Sequence, residues 1–185
     1  MSIGPEPDAD CAAALNITLR IKNWLVGLLL LIVIGELSLF FLFRYRTDWQ
    51  PKAVDLLQYC MGLIEFFGVA LALLLLVDLL LALNITLSGR LGGAAHLVAA
   101  LVWSAALVLL LFPWQAFLAN ATFSSTAFKI PGVLYTWEEL TARARWDAAS
   151  LNIWQIALRW ARFVAFPLVA VIFLINVWHH ARRRA

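Results

Sequence analysis

Four long runs of apolar residues, each bounded by charged or turn-forming residues, dominate the pattern along the chain. A helix needs about 20 apolar residues to cross the roughly 30 Å hydrocarbon layer of a bilayer. The four runs reach that length, and we therefore predict that each forms a membrane-spanning helix. The predicted helices cover residues 23–43, 56–83, 96–118 and 153–178.

The segments outside these runs are short, with one exception. We predict that residues 1–22 form a short solvated tail followed by an amphipathic lead-in to the first helix, and that residues 179–185 form a basic C-terminal tail. Residues 119–152 make the one long connection, between the third and fourth helices. Any further structure outside the membrane is therefore expected in that loop.

This long loop carries a helix start signal. Thr136 followed three residues later by Glu139 is a capping-box pattern, and Glu139 and Arg143 have the spacing of an i,i+4 ion pair. We predict a short amphipathic helix from Trp137 to about Ala148. It either lies in the plane of the membrane interface or begins the fourth helix early.

Composition agrees with the apolar pattern and excludes an ordinary soluble protein. Hydrophobic residues make up 64% of the chain and charged residues 14%, with a mean hydropathy of +0.88. Soluble domains carry roughly 25% charged residues. The predicted fold class is thus an all-α integral membrane protein, a four-transmembrane-helix bundle with a short amphipathic helix between helices 3 and 4. Its surroundings are the lipid bilayer, and the net charge of +3 is read as a topology signal rather than as a nucleic-acid site.

Orientation depends on the basic residues at the two ends of the helices. Four helices place both termini on one side, and the basic residues outside the predicted helices divide evenly between the two sides. Arg182, Arg183 and Arg184 directly follow the last helix, and positive charges next to a helix favour the cytoplasmic side. We therefore predict a multi-pass protein with cytoplasmic termini.

Charged residues at membrane depth form the main candidate site: Glu36, Glu65, Arg159 and Arg162. Counted from the loop end of each predicted helix at a rise of 1.5 Å per residue, all four lie roughly 9–14 Å in from the same membrane face. Gln155 shares a helical stripe with the two arginines, at i, i+4 and i+7. Because isolated charges at this depth are costly, we predict an intramembrane charge network with at least one direct Glu–Arg contact, between Glu65 and Arg159 or Arg162.

Three roles are open for this network. It can be a structural set of ion pairs that fixes helix pairing. A carboxylate in it can relay protons. The arginines can hold an anionic lipid headgroup or a quinone-like head.

A smaller candidate pair lies at the other membrane face. Asp78 near the end of helix two and His96 at the start of helix three would form an Asp–His pair able to titrate near neutral pH. His96 has no second intramembrane histidine at its depth, and Cys11 and Cys60 lie in different segments. We therefore predict no haem, no metal site and no cofactor, with a bound lipid or quinone as the remaining ligand class.

Two classes of function fit this pattern. No nucleophile has a histidine at its depth, and the parts outside the membrane are small. The sequence therefore favours a noncatalytic membrane subunit, with an accessory, assembly or anchoring role beside other membrane protein subunits. The alternatives are a small transporter or proton- or ion-conducting protein that uses the intramembrane Glu and Arg residues, or a lipid- or quinone-binding membrane protein.

Overall fold

The computed structural model describes residues 9–45, 51–114, 132–144, 146 and 151–182. In these ranges all regular secondary structure is helical, and no strand is present. Four helices are long and apolar enough to cross a membrane. The chain is accordingly a multi-pass membrane protein.

The helices extend beyond the predicted spans. The first, α1, covers Ala9–Tyr45, so the predicted lead-in is continuous with the first helix. The second, α2, covers Pro51–Ser88, and the fourth long helix runs without a break from Ile153 to Arg182. The predicted basic tail is therefore helical as far as Arg182, while residues 1–8 and 183–185 lie outside the described part.

The third helix, α3, covers Ala94–Leu111 and is shorter than the predicted span 96–118. Phe112 is extended, with ψ at 134°, because a residue that precedes a proline is disfavoured in the helical region. Pro113 thus ends this helix. Residues 115–118 of the predicted span lie outside the described residues.

The short helix α4 covers Trp137–Arg143. Thr136 is its N-cap, and the Thr136 side chain accepts a hydrogen bond from the N–H of Glu139 at 3.1 Å. Ala144 ends the helix, so it stops earlier than the predicted Ala148, which lies outside the described residues. The fourth long helix contains α5 (Ile153–Trp160), a π-helical turn (Ala161–Ala165) and α6 (Phe166–Arg182).

The long helices pack side by side, α1 against α2, α2 against α3, α3 against α6 and α6 against α1. Fully buried leucine and valine side chains, including Leu29, Val33, Leu75 and Leu107, fill the space between them. Large apolar side chains also remain exposed along every long helix, as expected where the surroundings are lipid tails rather than water.

Residues 132–144 of the long loop fold back onto the helices, and we call them the docked segment. The N–H of Val133 donates to the carbonyl of Leu110 at 3.0 Å. Tyr135 and Leu140 are fully buried in a second core with Phe40 and Phe163. The docked segment therefore belongs to the packed interior at the loop end of the helices.

Candidate functional site

Arg162 is the centre of the polar contacts at the loop end. Its Nε and Nη2 atoms donate to the two carboxylate oxygens of Glu139, both at 2.7 Å. The same guanidinium donates to the carbonyls of Val133 at 3.2 Å and Leu134 at 3.4 Å. The side chains of Arg162 and Glu139 are only 12% and 10% exposed. This fork-shaped, mostly buried pair joins the fourth long helix to the docked segment.

Glu36 holds the docked segment from the side of α1. Its Oε1 atom accepts a hydrogen bond from the backbone N–H of Tyr135 at 3.1 Å. The residue is 0% exposed, and within the described part of the chain its Oε2 atom has no hydrogen-bond partner. Glu36 is therefore a buried carboxylate that satisfies a loop amide rather than an arginine.

Glu65 approaches the docked segment from α2. Its carboxylate faces the backbone N–H of Trp137, the first residue of α4, and it lies within electrostatic reach of Glu36. A cavity of about 120 Å³ lies beside it, lined also by Thr136, Glu139 and Arg162. Two carboxylates and one guanidinium thus lie along the wall of a small cavity whose lining is otherwise largely apolar.

Tyr135 completes the attachment to the fourth long helix. Its hydroxyl donates to the carbonyl of Phe163, within the π-helical turn. In an α-helix that carbonyl would accept from the residue four positions later, but this residue is Pro167, which has no N–H. The tyrosine supplies the missing donor. Burial, with a smaller contribution from the negative charge of Glu36, raises the pKa of Tyr135 well above its usual range, so the hydroxyl keeps its proton.

Arg159 lies apart from this group. Its guanidinium is 5.6 Å from the centre of the Trp146 ring, where the guanidinium of Arg44 also lies, at 4.3 Å. Arg44 additionally donates to the Trp146 carbonyl at 2.9 Å. These two arginines therefore hold Trp146, a residue of the same long loop, by cation–π contacts.

The structure brings together three of the five predicted network residues, Glu36, Glu65 and Arg162, around the docked segment. The predicted direct contact of Glu65 with Arg159 or Arg162 is wrong, since among the described residues the one salt bridge joins Arg162 to Glu139. The physical reason is that the carboxylate of Glu139 in the loop makes two hydrogen bonds to Arg162, while Glu36 and Glu65 face backbone amides of the docked segment. Glu139 consequently makes no pair with Arg143.

Gln155 is not part of this network. Its side chain is exposed, and its Oε1 atom accepts from the backbone N–H of Asn152 at 3.3 Å. It thus caps the start of α5 together with Asn152.

The predicted Asp78–His96 pair makes no contact within the described part of the chain. Asp78 instead interacts electrostatically with Lys22 of α1, which is only 2% exposed. Both residues lie at one level, because α1 and α2 are antiparallel: Cys11, eleven positions before Lys22, lies against Gly89, eleven positions after Asp78. His96 is partly buried at the start of α3.

Five residues of these contacts were not predicted from the sequence: Tyr135, Glu139 as a partner of Arg162, Lys22, Arg44 and Trp146. One signal for Tyr135 was present, since Pro167 within a predicted helix leaves the carbonyl of Phe163 without its helical donor. Within the described residues no group of three potential ligands could hold a metal ion.

The contacts around the docked segment are hydrogen bonds that hold it against the helices. Each hydrogen bond of Arg162, Glu36 and Tyr135 described above satisfies a group that the loop or the π-helical turn would otherwise leave unpaired.

The chain matches no protein-family model, no curated protein and no solved structure.

Proposed function

We propose that this chain is a noncatalytic integral membrane subunit, with an accessory, assembly or anchoring role in a larger membrane complex. In this proposal the four long helices form a transmembrane bundle and the termini are cytoplasmic, as the arginines after the last helix favour. The docked segment then lies at the opposite, non-cytoplasmic face.

One observation carries the proposal: the buried charges are used to fasten the docked segment. Arg162 makes four hydrogen bonds, two to Glu139 and two to loop carbonyls. Glu36 accepts from the Tyr135 amide. The hydrogen bonds of these buried charges support a structural role. Charged groups that hold one conformation of the chain are not free to act as reactive groups.

The fastened segment presents a polar surface. Glu138, Thr141, Ala142 and Arg143 of α4 are exposed, while Leu140 is fully buried beneath them. A short helix held rigidly with charged side chains outward is suited to contact another subunit, since little conformational entropy is lost on binding. We assign the partner contact to this exposed face of α4.

The test is purification of the tagged full-length chain in mild detergent from its native host, with the partner identified by mass spectrometry. We expect one stoichiometric partner, which Arg143→Glu releases. Arg20→Glu makes the same charge change on an exposed part of α1 and should keep the partner. A chain that purifies alone, as a monomer or homo-oligomer, contradicts the subunit proposal.

A second candidate, proton conduction, is favoured by one specific observation. Within the described residues one carboxylate oxygen of Glu36 has no hydrogen-bond partner, and Glu36 is electrostatically coupled to Glu65, which borders the small cavity. Two neighbouring carboxyl groups at one membrane level can pass a proton between them. This arrangement would serve a relay from the cavity into the helices.

Proteoliposomes with a trapped pH-sensitive dye separate this candidate from the first. A relay predicts proton flux that Glu36→Gln abolishes while the protein stays folded. Asp55→Asn, which removes an exposed carboxylate from the same end of α2, is the matched control. Flux no greater than that of empty vesicles counts against conduction and for the subunit role.

A further inference from the structure

A crevice opens at the end of the helices that carries the termini, opposite the docked segment. It has a volume of about 640 Å³. One face of α1 forms a wall, the turn between α2 and α3 closes one side, and the end of α6 forms the other side. We call it the terminal crevice, and the residues that its polar chemistry depends on are Asn16, Lys22, Asn23, Trp178 and Arg182.

The terminal crevice is cationic. Lys22 and Arg182 both line it, and the described lining residues include no carboxylate. Asp78 interacts electrostatically with Lys22 from α2 and is not part of the described lining. Two positive charges therefore face a space whose described lining carries no negative charge.

Lys22 is placed to bind a ligand from the interior of the crevice. Only 2% of the Lys22 surface is exposed. Within the described part of the chain its ammonium makes neither a hydrogen bond nor a salt bridge within 4.0 Å. Helix side chains tilt toward the N-terminus of their helix, which for α1 is the mouth of the crevice. Asp78 offsets part of the cost of burying this charge, and an anion in the crevice would supply the hydrogen-bonding partner that Lys22 lacks among the described residues.

The mouth of the terminal crevice has the features of a membrane interface. The guanidinium of Arg182 lies 4.9 Å from the centre of the Trp178 ring, which fixes its position by a cation–π contact. Asn16 and Asn23 add amide groups on the same face of α1. These residues line the same space as Lys22, so they offer further donors to the oxygens of a phosphate group.

From this arrangement we propose that the terminal crevice binds the phosphate of an anionic phospholipid. Lys22 contacts the phosphate from below, Arg182 contacts it from the mouth, and the asparagine amides complete its hydrogen bonds. Basic pockets between membrane helices are suited to lipid headgroups because the bilayer supplies the ligand at high local concentration.

The apolar part of the lining selects a lipid over free phosphate. Leu15, Leu19 and Leu91 also line the crevice. Their side chains have no group that could bind an inorganic ion. Contact with the glycerol and upper acyl groups of a lipid would bury this apolar surface. The shared chemistry is a phosphate, and the acyl chains distinguish the two sources.

Native mass spectrometry of the full chain in detergent tests the proposal with three probes: phosphatidylglycerol, phosphatidylcholine and inorganic phosphate. We expect one phosphatidylglycerol per chain, bound at least about tenfold more tightly than either of the other probes. Lys22→Gln and Arg182→Gln should each weaken phosphatidylglycerol binding about tenfold, the change expected for the loss of one charge-assisted hydrogen bond. Lys22→Gln combined with Asp78→Asn covers the case in which the unpaired Asp78 prevents folding of the single variant.

Arg20→Gln is the matched control, because it removes an exposed positive charge from the same end of α1 without touching the lining. Its affinity should equal that of the unmodified protein. Equal weakening by Arg20→Gln, or equal binding of phosphatidylcholine, would show general surface attraction and overturn the site. Inorganic phosphate bound as tightly as phosphatidylglycerol would overturn the assignment to a lipid.

Discussion

The hydroxyl of Tyr135 donates to the backbone carbonyl of Phe163, at a place where the fourth long helix lacks its own donor. Pro167 has no N–H to offer this carbonyl, and the helix widens there into a π-helical turn, Ala161–Ala165. Tyr135 is fully buried, so water does not reach this contact. The docked segment thus supplies the hydrogen-bond donor that the fourth long helix lacks at Phe163. Arg162 binds the docked segment to this same helix.

The first prediction follows from this contact. Tyr135→Phe leaves the Phe163 carbonyl buried without a donor, which should lower the free energy of unfolding by about 1–3 kcal/mol. Because burial raises the pKa of Tyr135 above the usual value of 10.0, the tyrosine contributes stability that is complete below pH 10.0 and is lost as pH rises above it.

Unfolding in detergent, followed between pH 7 and 11, measures both effects. The difference in stability between the unmodified protein and Tyr135→Phe should be constant at the lower pH values and shrink above pH 10.0. Other titrating groups are common to both proteins and cancel in the difference. A difference that grows with pH would mean that Tyr135 is not buried as a neutral donor.

The second prediction concerns the Arg162–Glu139 pair. Arg162→Gln leaves Glu139 buried and unpaired, and removing one partner of a buried pair typically costs about 3–5 kcal/mol. The double change Arg162→Gln with Glu139→Gln should cost less than Arg162→Gln alone. Equilibrium unfolding of the three proteins forms the cycle.

Arg159→Gln is the control for this cycle. Arg159 lies on the same helix, and among the described residues its contact is a cation–π contact with Trp146, worth about 0.5–1 kcal/mol. An equal loss of unfolding free energy for Arg159→Gln and Arg162→Gln would contradict the claim that the buried Arg162–Glu139 pair stabilises the fold.

The third prediction uses two glycines of the contact surface. A Cβ atom at Gly132 would lie 2.7 Å from the backbone carbonyl oxygen of Phe112, which cannot move without disturbing the end of α3. A Cβ atom at Gly68 would lie 2.5 Å from the end of the Leu134 side chain, which can rotate away. Gly132→Ala should therefore destabilise the protein by about 1–3 kcal/mol, and Gly68→Ala by less.

Thermal unfolding of both variants beside Gly35→Ala, where the added methyl group meets nothing within 4 Å, gives the comparison. Gly35→Ala should be neutral or stabilising, because alanine is the better helix former. Equal stability of the Gly132 and Gly68 variants would mean that the docked segment does not lie against α3 as described.

Much of this arrangement can be predicted from the sequence, because it depends on local periodicity. The four long helices follow from apolar length alone. The shared level of Glu36 and Glu65 follows from helix rise and the antiparallel order of α1 and α2. The N-cap at Thr136 follows from a local side-chain rule.

The partners of these charges depend on contacts between distant parts of the chain. Nothing in the spacing of Glu139 indicates that it meets Arg162 rather than Arg143, since the loop must first fold back onto the helices. Lys22 was placed outside the membrane because the apolar run begins after it. Its burial depends instead on α1 extending to Ala9 and on α2 bringing Asp78 to its level.

The fourth prediction concerns orientation. In a variant without Cys11 and Cys60, a cysteine at position 138 should react with a membrane-impermeant maleimide in intact cells. A cysteine at position 88, at the opposite end of the helices, should react only after permeabilisation. The reverse pattern would place the termini outside, and reaction of both in intact cells would contradict the four-helix membrane topology.

The last prediction tests the central claim, that buried helix charges fasten the docked segment. The amide of Tyr135 donates to Glu36, and the amide of Val133 donates to Leu110, so both should exchange slowly with solvent deuterium. Glu36→Ala removes the acceptor of Tyr135 and should accelerate exchange across residues 132–144, while Ser38→Ala, two positions away on an exposed side of α1, should not. Hydrogen–deuterium exchange of residues 132–144 is the direct measurement: strong protection that depends on Glu36 is the expected result, and exchange at the rate of an unstructured peptide in the unmodified protein would contradict the account.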